Sequence, residues 1–479
     1  KQTDEIVFEC KKRGIKVIPY FGYEVSTLSP DWNAAAHDLR KTEGMYENGG
    51  GWYRNPPQRD YIMCFNSPQA DRMADDIAKV VERFGFDGVY LDSALFPVPC
   101  LNEAHGCGYE KDGKRHVTYP VTAIRRFMKK LREILPSGAL INVHLSNCCM
   151  VPAMSFCDGI WDGEFIQTQL NREGIERLSE GLMQAEYTGR NFGIPYEFVA
   201  YSLPNWSFEN ALCLAVPHGI LPRPNDADDA AMEKLWDAIF SAIRVTEGGD
   251  AVEAWRAHCA YLEEMAGRLN ALQLRQVRYK NALGTDVVVG LPDEHVWMAG
   301  ADTAKSGVRF VANMPTEEIF SAPKRDAVDG VLAASKPLAL NGNVIEGIRL
   351  TLEHGRIVGI HADTNEGVLR QAIETDEGAH YLGEIALVPV DSPIAQSGLL
   401  FYNTLFDENA ACHFAFGQAY PACVPGGDDL PEEELVRRGI NVVSTMHVDF
   451  MVGTEDLSII GTTKDGREVT VFENGRFAL

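Results

Sequence analysis

The stretch NVVSTMHVDFMVG (441–453) reads as a β-strand and carries two metal-ligand side chains two residues apart, His447 and Asp449. Successive strand side chains point to opposite faces, so this spacing puts both on one face. Working outward, DENAACHFAFGQAYP (407–421) holds His413 and Tyr420 seven residues apart. Read as a helix, seven residues is two turns, so these two would also share a face. Glu384 closes the acidic segment DEGAHYLGE (376–384), and Glu317 and Glu318 lie in NMPTEEIF (313–320). Glu318, Glu384, His413, His447 and Asp449 make a carboxylate and imidazole set without a thiolate. Such a set suits zinc, cobalt or manganese in a hydrolytic site. A Glu-Glu pair alone usually marks a solvated helix face. A His in an apolar run is usually a satisfied core side chain, which is the reading given to His361 and His380. The metal reading therefore rests on the five together.

The first 225 residues have a different texture. Short apolar runs such as GIKVIPYFGYE, FDGVYLDSA, GALINVHLSN and FGIPYEFVAY alternate with amphipathic helices such as ADRMADDIAKVVERFG and VTAIRRFMKKLREILP. Repeated βα units with polar residues at strand ends point to a (β/α)₈-type barrel, whose active site lies at that rim. Only five or six strands are countable, so the barrel is expected to be incomplete. LPRPNDADD (221–229) reads as the loop between halves, with a boundary near 222–232. The helix DAAMEKLWDAIFSAIRV then opens a helical region running to about Asn281, followed by short strands with turn signals such as LNGNV and LEHGRIVG.

At 479 residues, 45% hydrophobic and 23% charged, the chain has the composition of a globular protein with two or more cores. A formal charge of −24 argues against nucleic acid and anionic membranes as partners. No apolar run approaches the ~18 residues of a membrane span. The opening KQTDEIVFECKKRG has no initiator Met and no signal-peptide pattern, and reads as mid-helix; the sequence is expected to be a fragment. Eleven cysteines without a C-x-x-C pair suit reduced, mostly buried thiols and a cytoplasmic setting. Cys100, His105 and Cys107 in CLNEAHGCGY are ligand types at close spacing, one short of a metal site.

Five segments carry a resemblance: GTDVVVGLP (284–292), NMPTEEIFSAPKRDAVDG (313–330), DEGAHYLGEIALVP (376–389), LLFYNTLFDENAACHFAFGQAYP (399–421) and NVVSTMHVDFMVG. In order and spacing, residues 232–479 resemble the aminopeptidase T/aminopeptidase S family of metallopeptidases. The resemblance implies two divalent metal ions per chain, held by Glu318, Glu384, His413, His447 and Asp449. It implies a peptide substrate cut at its N-terminus by a two-metal-activated water, a catalytic role for Tyr420, and a homodimer. Glu317, beside a ligand, is the natural general base. The family's N-terminal α/β domain has no counterpart in this sequence. The barrel-like half stands in its place, as a natural fusion or an assembly artefact.

In the first half Asp92, Asp162 and Glu164 fall at strand ends. Paired acids there suit glycoside hydrolysis, in which one protonates the leaving oxygen and the other acts as nucleophile or base. Tyr20, Phe21, Tyr23, Trp161 and Trp206 are aromatics available to stack on sugars. An Asp after a buried strand is also often a loop or cap residue. CLNEAHGCGY, INVHLSN and FCDGIWDGE resemble barrel proteins related to β-N-acetylgalactosaminidases. The expected fold class is α/β: a partial (β/α)₈-type barrel (1–225) followed by an α+β metallo-aminopeptidase domain (232–479). The alternatives are a glycoside hydrolase, or a catalytically silent carbohydrate-binding or scaffold protein with a structural metal site.

Overall fold

The computed structural model describes residues 2–22, 24–30, 32–33, 56–92, 97–144, 150–163, 181, 184–188, 192–200, 208–224, 229–304, 306–341 and 343–479. By its contacts the chain divides into two compact units. One comprises residues 1–177, 185–203 and 219–226; the other comprises 178–184, 204–218 and 227–479. Among the described residues no helix is long and apolar enough to cross a membrane.

The first unit is built on a six-stranded parallel sheet. Its strands Tyr20–Phe21, Gly88–Leu91, Leu140–His144, Gly159–Asp162, Tyr196–Ala200 and Leu221–Pro224 lie side by side in chain order. Parallel neighbours need a crossover between them, and amphipathic helices supply the first two. The helix Gln69–Phe84 buries Ala70, Ala74, Ile77 and Val81, and stops at Gly85, whose φ of 66° forms the left-handed cap. The helix Val121–Ile134 buries Ala123, Ile124, Phe127, Met128 and Leu131.

This described sheet is open, with Tyr20–Phe21 and Leu221–Pro224 at its edges, so the structure shows a parallel α/β sheet rather than a closed barrel. Two local expectations change with it. In the run GIKVIPYFGYE the registered strand is just Tyr20–Phe21, with the Val17 and Pro19 carbonyls accepting from the Asp87 and Tyr90 N–H groups ahead of it, and Glu24–Ser26 pairs antiparallel with Asp60–Ile62. The supposed loop at LPRP is a strand, paired parallel with Tyr196–Ala200. Its two prolines are tolerated because it is an edge, where a missing N–H breaks no ladder.

In the second unit the helix Ala251–Leu272 is capped by Asp250, whose Oδ1 accepts from the N–H groups of Val252 and Glu253 at 3.0 and 3.1 Å. The helical region ends there, earlier than the spacing predicts. LRQVRYK (Leu274–Lys280) is a strand, with Val277 and Tyr279 buried and Arg278 and Lys280 exposed. It lies inside an eight-stranded antiparallel sheet. A second, five-stranded antiparallel sheet has the order Met298–Ala299, Ile319–Ser321, Leu382–Leu387, His413–Gly417 and His447–Met451. Side chains of both sheets share one core, including Val277, Val289 and Leu350 with Ile385, Phe414 and Phe450.

The run HFAFG is thus a strand, not the helix its spacing with Tyr420 suggested. It is paired on both sides, with Leu382–Leu387 and with His447–Met451. A short apolar run is ambiguous between helix and strand by pattern alone, and pairing decides it. The strand alternation then sorts its side chains. Phe414 and Phe416 join the shared core, with Phe414 5.1 Å from the Tyr279 ring. His413 and Ala415 take the opposite face.

Candidate metal centre

Cross-strand register builds the site. Ala415 lies opposite Glu384 on one side and opposite Asp449 on the other. Residues directly opposite in a sheet share a face, so the two carboxylates flank one small methyl group. His413 and His447 lie two positions along from Ala415 and Asp449, on that same face. Glu318 enters from the residue preceding the strand Ile319–Ser321.

The five side chains form two overlapping groups, Glu318–Glu384–His413 and Glu384–His447–Asp449, with donor atoms of each group within 4.8 Å of one another. Glu384 belongs to both. Its Oε1 lies 3.7 Å from His413 Nε2, and its Oε2 lies 3.3 Å from His447 Nε2. Glu318 Oε2 is 3.2 Å from His413 Nε2, and Asp449 Oδ1 is 3.5 Å from His447 Nε2. The outer nitrogens are held by backbone. His413 Nδ1 contacts the Ala411 carbonyl at 3.1 Å, and His447 Nδ1 contacts the Gln418 carbonyl at 2.7 Å. Such bonds fix the tautomer and leave Nε2 as the inward lone pair.

Two observations fit the set to divalent cations. Glu318 Oε2 and His413 Nε2 are buried without a hydrogen-bond partner, although they face each other. Buried polar atoms left this way are costly unless an ion completes them. The second is charge. Burial lifts the Glu318 carboxyl above its usual range. Burial also acts to raise Glu384, but His413 and His447 hold it below the usual range. Against burial, Glu318 and Glu384 raise the His413 imidazole well above its usual value. Also against burial, Asp449 and Glu384 raise His447 to about 11. Without a cation the pocket takes up protons in its place.

A pH prediction follows. Ligation needs neutral imidazoles, so metal uptake by the metal-free chain at neutral pH is expected to release roughly two protons, with affinity rising with pH. Calorimetric titration in buffers of different ionisation enthalpy measures this, and uptake without proton release counts against the two imidazoles as ligands. The sign for stability is opposite. In the metal-free chain the raised His447 contributes stability that is fully present below ~6.5. That stability is lost as pH rises through about 11.

Glu317, next in sequence to Glu318, is buried in a two-point ion pair. Arg244 Nη1 lies 2.7 Å from Oε1, and Nη2 donates to Oε2 at 2.9 Å. His258 Nε2 lies 3.6 Å from Oε2 and 2.8 Å from the Thr316 carbonyl. The Glu317 N–H donates to Asn409 Oδ1 at 2.7 Å. Tyr420 lies three residues beyond the strand His413–Gly417, with its ring 5.1 Å from that of His447. Burial, then the Glu384 and Asp449 carboxylates, push its phenol well above the usual value, so it remains a hydrogen-bond donor.

Sequence reasoning missed four residues here. Arg244 and His258 carry no local signal: Arg244 lies in the turn just after the helix Asp229–Ala242, and His258 is an ordinary helical polar residue. Glu408 and Asn409 lie within the quoted run ahead of His413. Burial, then Asp449, raises the Glu408 carboxyl to about 9. Of the histidines assigned to cores, His361 is instead exposed, 3.4 Å from Asp363 and 3.3 Å from Glu366.

In the first unit Asp92 follows its strand. Its Oδ1 contacts His144 Nδ1 at 3.0 Å, and its Oδ2 accepts from the Tyr20 hydroxyl at 2.5 Å. Asp162 closes its strand, is buried, and accepts from the Gly163 N–H at 2.7 Å. Glu164, Tyr23 and Trp206 lie outside the described residues.

A family profile described as thermophilic metalloprotease (M29) matches residues 209–477. Aminopeptidase AmpS of Bacillus subtilis (strain 168) is 45% identical over 282 residues, covering 59% of this chain and 68% of its own length. Aminopeptidase 2 of Geobacillus stearothermophilus is 48% identical over 251 residues, covering 52% and 60%. Aminopeptidase T of Thermus thermophilus is 44% identical over 256 residues, covering 53% and 62%. This chain thus spans about two thirds or less of the relatives it matches. The solved wild-type AmpT from Thermus thermophilus overlaps 75% of this chain and 91% of its own, at 33% identity and a TM-score of 0.48.

Proposed function

The chain belongs to the thermophilic metalloprotease (M29) family, and on that premise we propose that its second unit is a metal-dependent aminopeptidase. Its substrate is a peptide, from which it releases N-terminal residues. The observation that carries this reading is the pair of donor groups sharing Glu384. Glu318, Glu384 and His413 would hold one divalent ion, and Glu384, His447 and Asp449 a second. Zinc, cobalt and manganese all suit these donors. When bound, the ions supply Lewis acidity, easing ionisation of water near neutral pH and polarising the scissile carbonyl.

The chain's own residues do the rest. Glu317 accepts the proton of the attacking water and returns it to the leaving amine. Arg244 fixes the plane of that carboxylate through its two-point pair. Tyr420 donates a hydrogen bond to the oxyanion of the tetrahedral intermediate. An oxyanion donor is worth about 2.7–4 kcal/mol, so Tyr420→Phe is expected to lower kcat roughly 10²–10³-fold with little change in KM. Equal losses of binding and turnover would instead mark Tyr420 as a substrate-packing residue.

The function itself is tested on the full chain loaded with zinc, cobalt or manganese, using leucine-p-nitroanilide. Cleavage that a chelator abolishes and added metal restores supports the proposal. Chelator-insensitive cleavage would show the mechanism to be wrong. A metal-loaded, folded chain that cleaves nothing favours the silent protein with a structural metal site.

A further inference from the structure

The first unit holds a second cluster of ligand atoms, chemically unlike the first. Cys64 lies just beyond the strand Asp60–Ile62. Cys100, His105 and Cys107 lie on one compact loop. The sequence showed only the last three, one ligand short; folding brings Cys64 to them from 43 residues away. One donor atom from each of the four lies within 4.8 Å of the others. The three thiols are buried together.

The distances select a chemistry. Cys64 Sγ and Cys107 Sγ are 3.6 Å apart, and Cys107 Sγ is 3.4 Å from His105 Nδ1. A disulfide needs sulfurs at about 2.05 Å. A tetrahedral zinc with Zn–S bonds of about 2.3 Å and a Zn–N bond of about 2.0 Å holds its sulfurs ~3.8 Å apart and its sulfur and nitrogen ~3.5 Å apart. The observed spacings lie close to the second geometry and far from the first.

The loop is built to hold that arrangement. Cys100 and Thr118 exchange backbone hydrogen bonds at 3.0 and 2.9 Å. Asn102 caps the short helix Glu103–His105 by accepting from the Ala104 N–H at 2.9 Å. Gly106, at φ 72°, then reverses the chain so that His105 and Cys107 meet. N–H donors also point at the sulfurs: Asn66 Nδ2 reaches Cys107 Sγ at 3.2 Å, and the Asn102 N–H reaches Cys100 Sγ at 3.4 Å. Such donors are the usual outer partners of metal-bound thiolates.

We propose that Cys64, Cys100, His105 and Cys107 form a closed Cys₃His zinc site that pins the loop Cys100–Thr118 to the strand Asp60–Ile62. Four protein ligands leave no open position, so the site is structural, and its occupancy adds to the folding stability of the first unit.

Cobalt separates this site from the carboxylate one, which has no thiolate. The full chain, purified under reductant, stripped of metal and titrated with cobalt(II), is expected to show thiolate-to-cobalt charge-transfer bands and intense tetrahedral visible bands, saturating at about one equivalent. They persist in His447→Ala and weaken and shift in Cys107→Ser, which lacks one of the three thiolates. Zinc added afterwards displaces them. X-ray absorption on the zinc-loaded His447→Ala chain should show sulfur-dominated ligation, a reading that does not depend on Cys107→Ser folding. Cobalt-loaded protein without thiolate bands, bands unchanged in Cys107→Ser, or zinc with no sulfur neighbour would overturn the site.

Discussion

Glu384→Ala is expected to leave the chain with neither ion and without measurable peptide hydrolysis, whereas His447→Ala retains one ion. The asymmetry comes from the position of Glu384, whose two oxygens face different imidazoles at 3.7 and 3.3 Å. No other member belongs to both donor groups. Removing the carboxylate withdraws one donor from each, while removing His447 affects only one. Loss of Lewis acidity costs several kcal/mol of transition-state stabilisation, or about 10³-fold or more in rate. Elemental analysis after dialysis, paired with the leucine-p-nitroanilide assay, reads both effects. Parent-level metal in Glu384→Ala would remove Glu384 from the ligand set, and equal loss in both variants would remove its shared role.

Glu317→Gln is expected to keep its metal and lose turnover by about 10²–10⁴-fold, the usual contribution of a positioned acid–base group. An amide cannot accept the water's proton. The same change weakens the buried pair with Arg244, and breaking such a pair outright costs about 3–5 kcal/mol. Thermal unfolding should therefore be measured beside kcat and metal content. A folded, metal-loaded Glu317→Gln chain with full kcat assigns the proton transfer elsewhere. Glu408, whose carboxyl burial raises to about 9, is then the next group to test.

Local pattern made some of this readable. In MHVDFMVG the alternation of apolar and ligand side chains specifies a strand with His447 and Asp449 on one face, because side-chain direction depends only on neighbouring residues. The amphipathic spacing of ADRMADDIAKVVERFG and VTAIRRFMKKLREILP specified two helices for the same reason. HFAFG was misread as helical. Five residues carry too little periodicity to choose, and pairing on both edges overrode the pattern. LPRP looked like a loop because of its prolines, yet a sheet edge accepts them.

What the sequence by itself determined, then, is the set of chemistries: carboxylates and imidazoles without thiolate in one half, thiols and a histidine in the other, and the periodicity of the elements that carry them. Tertiary structure alone decided which residues meet. Level register through Ala415 placed Glu384 and Asp449 on either side of it, and Glu384 became common to two donor groups. Packing brought Arg244 from a turn and His258 from a helix onto Glu317, with no motif to mark either. It also brought Cys64 across 43 residues to Cys107. The reason is physical. Side-chain direction is set within a few residues of the backbone, whereas proximity between distant residues is set by strand register and core burial, which depend on the whole fold.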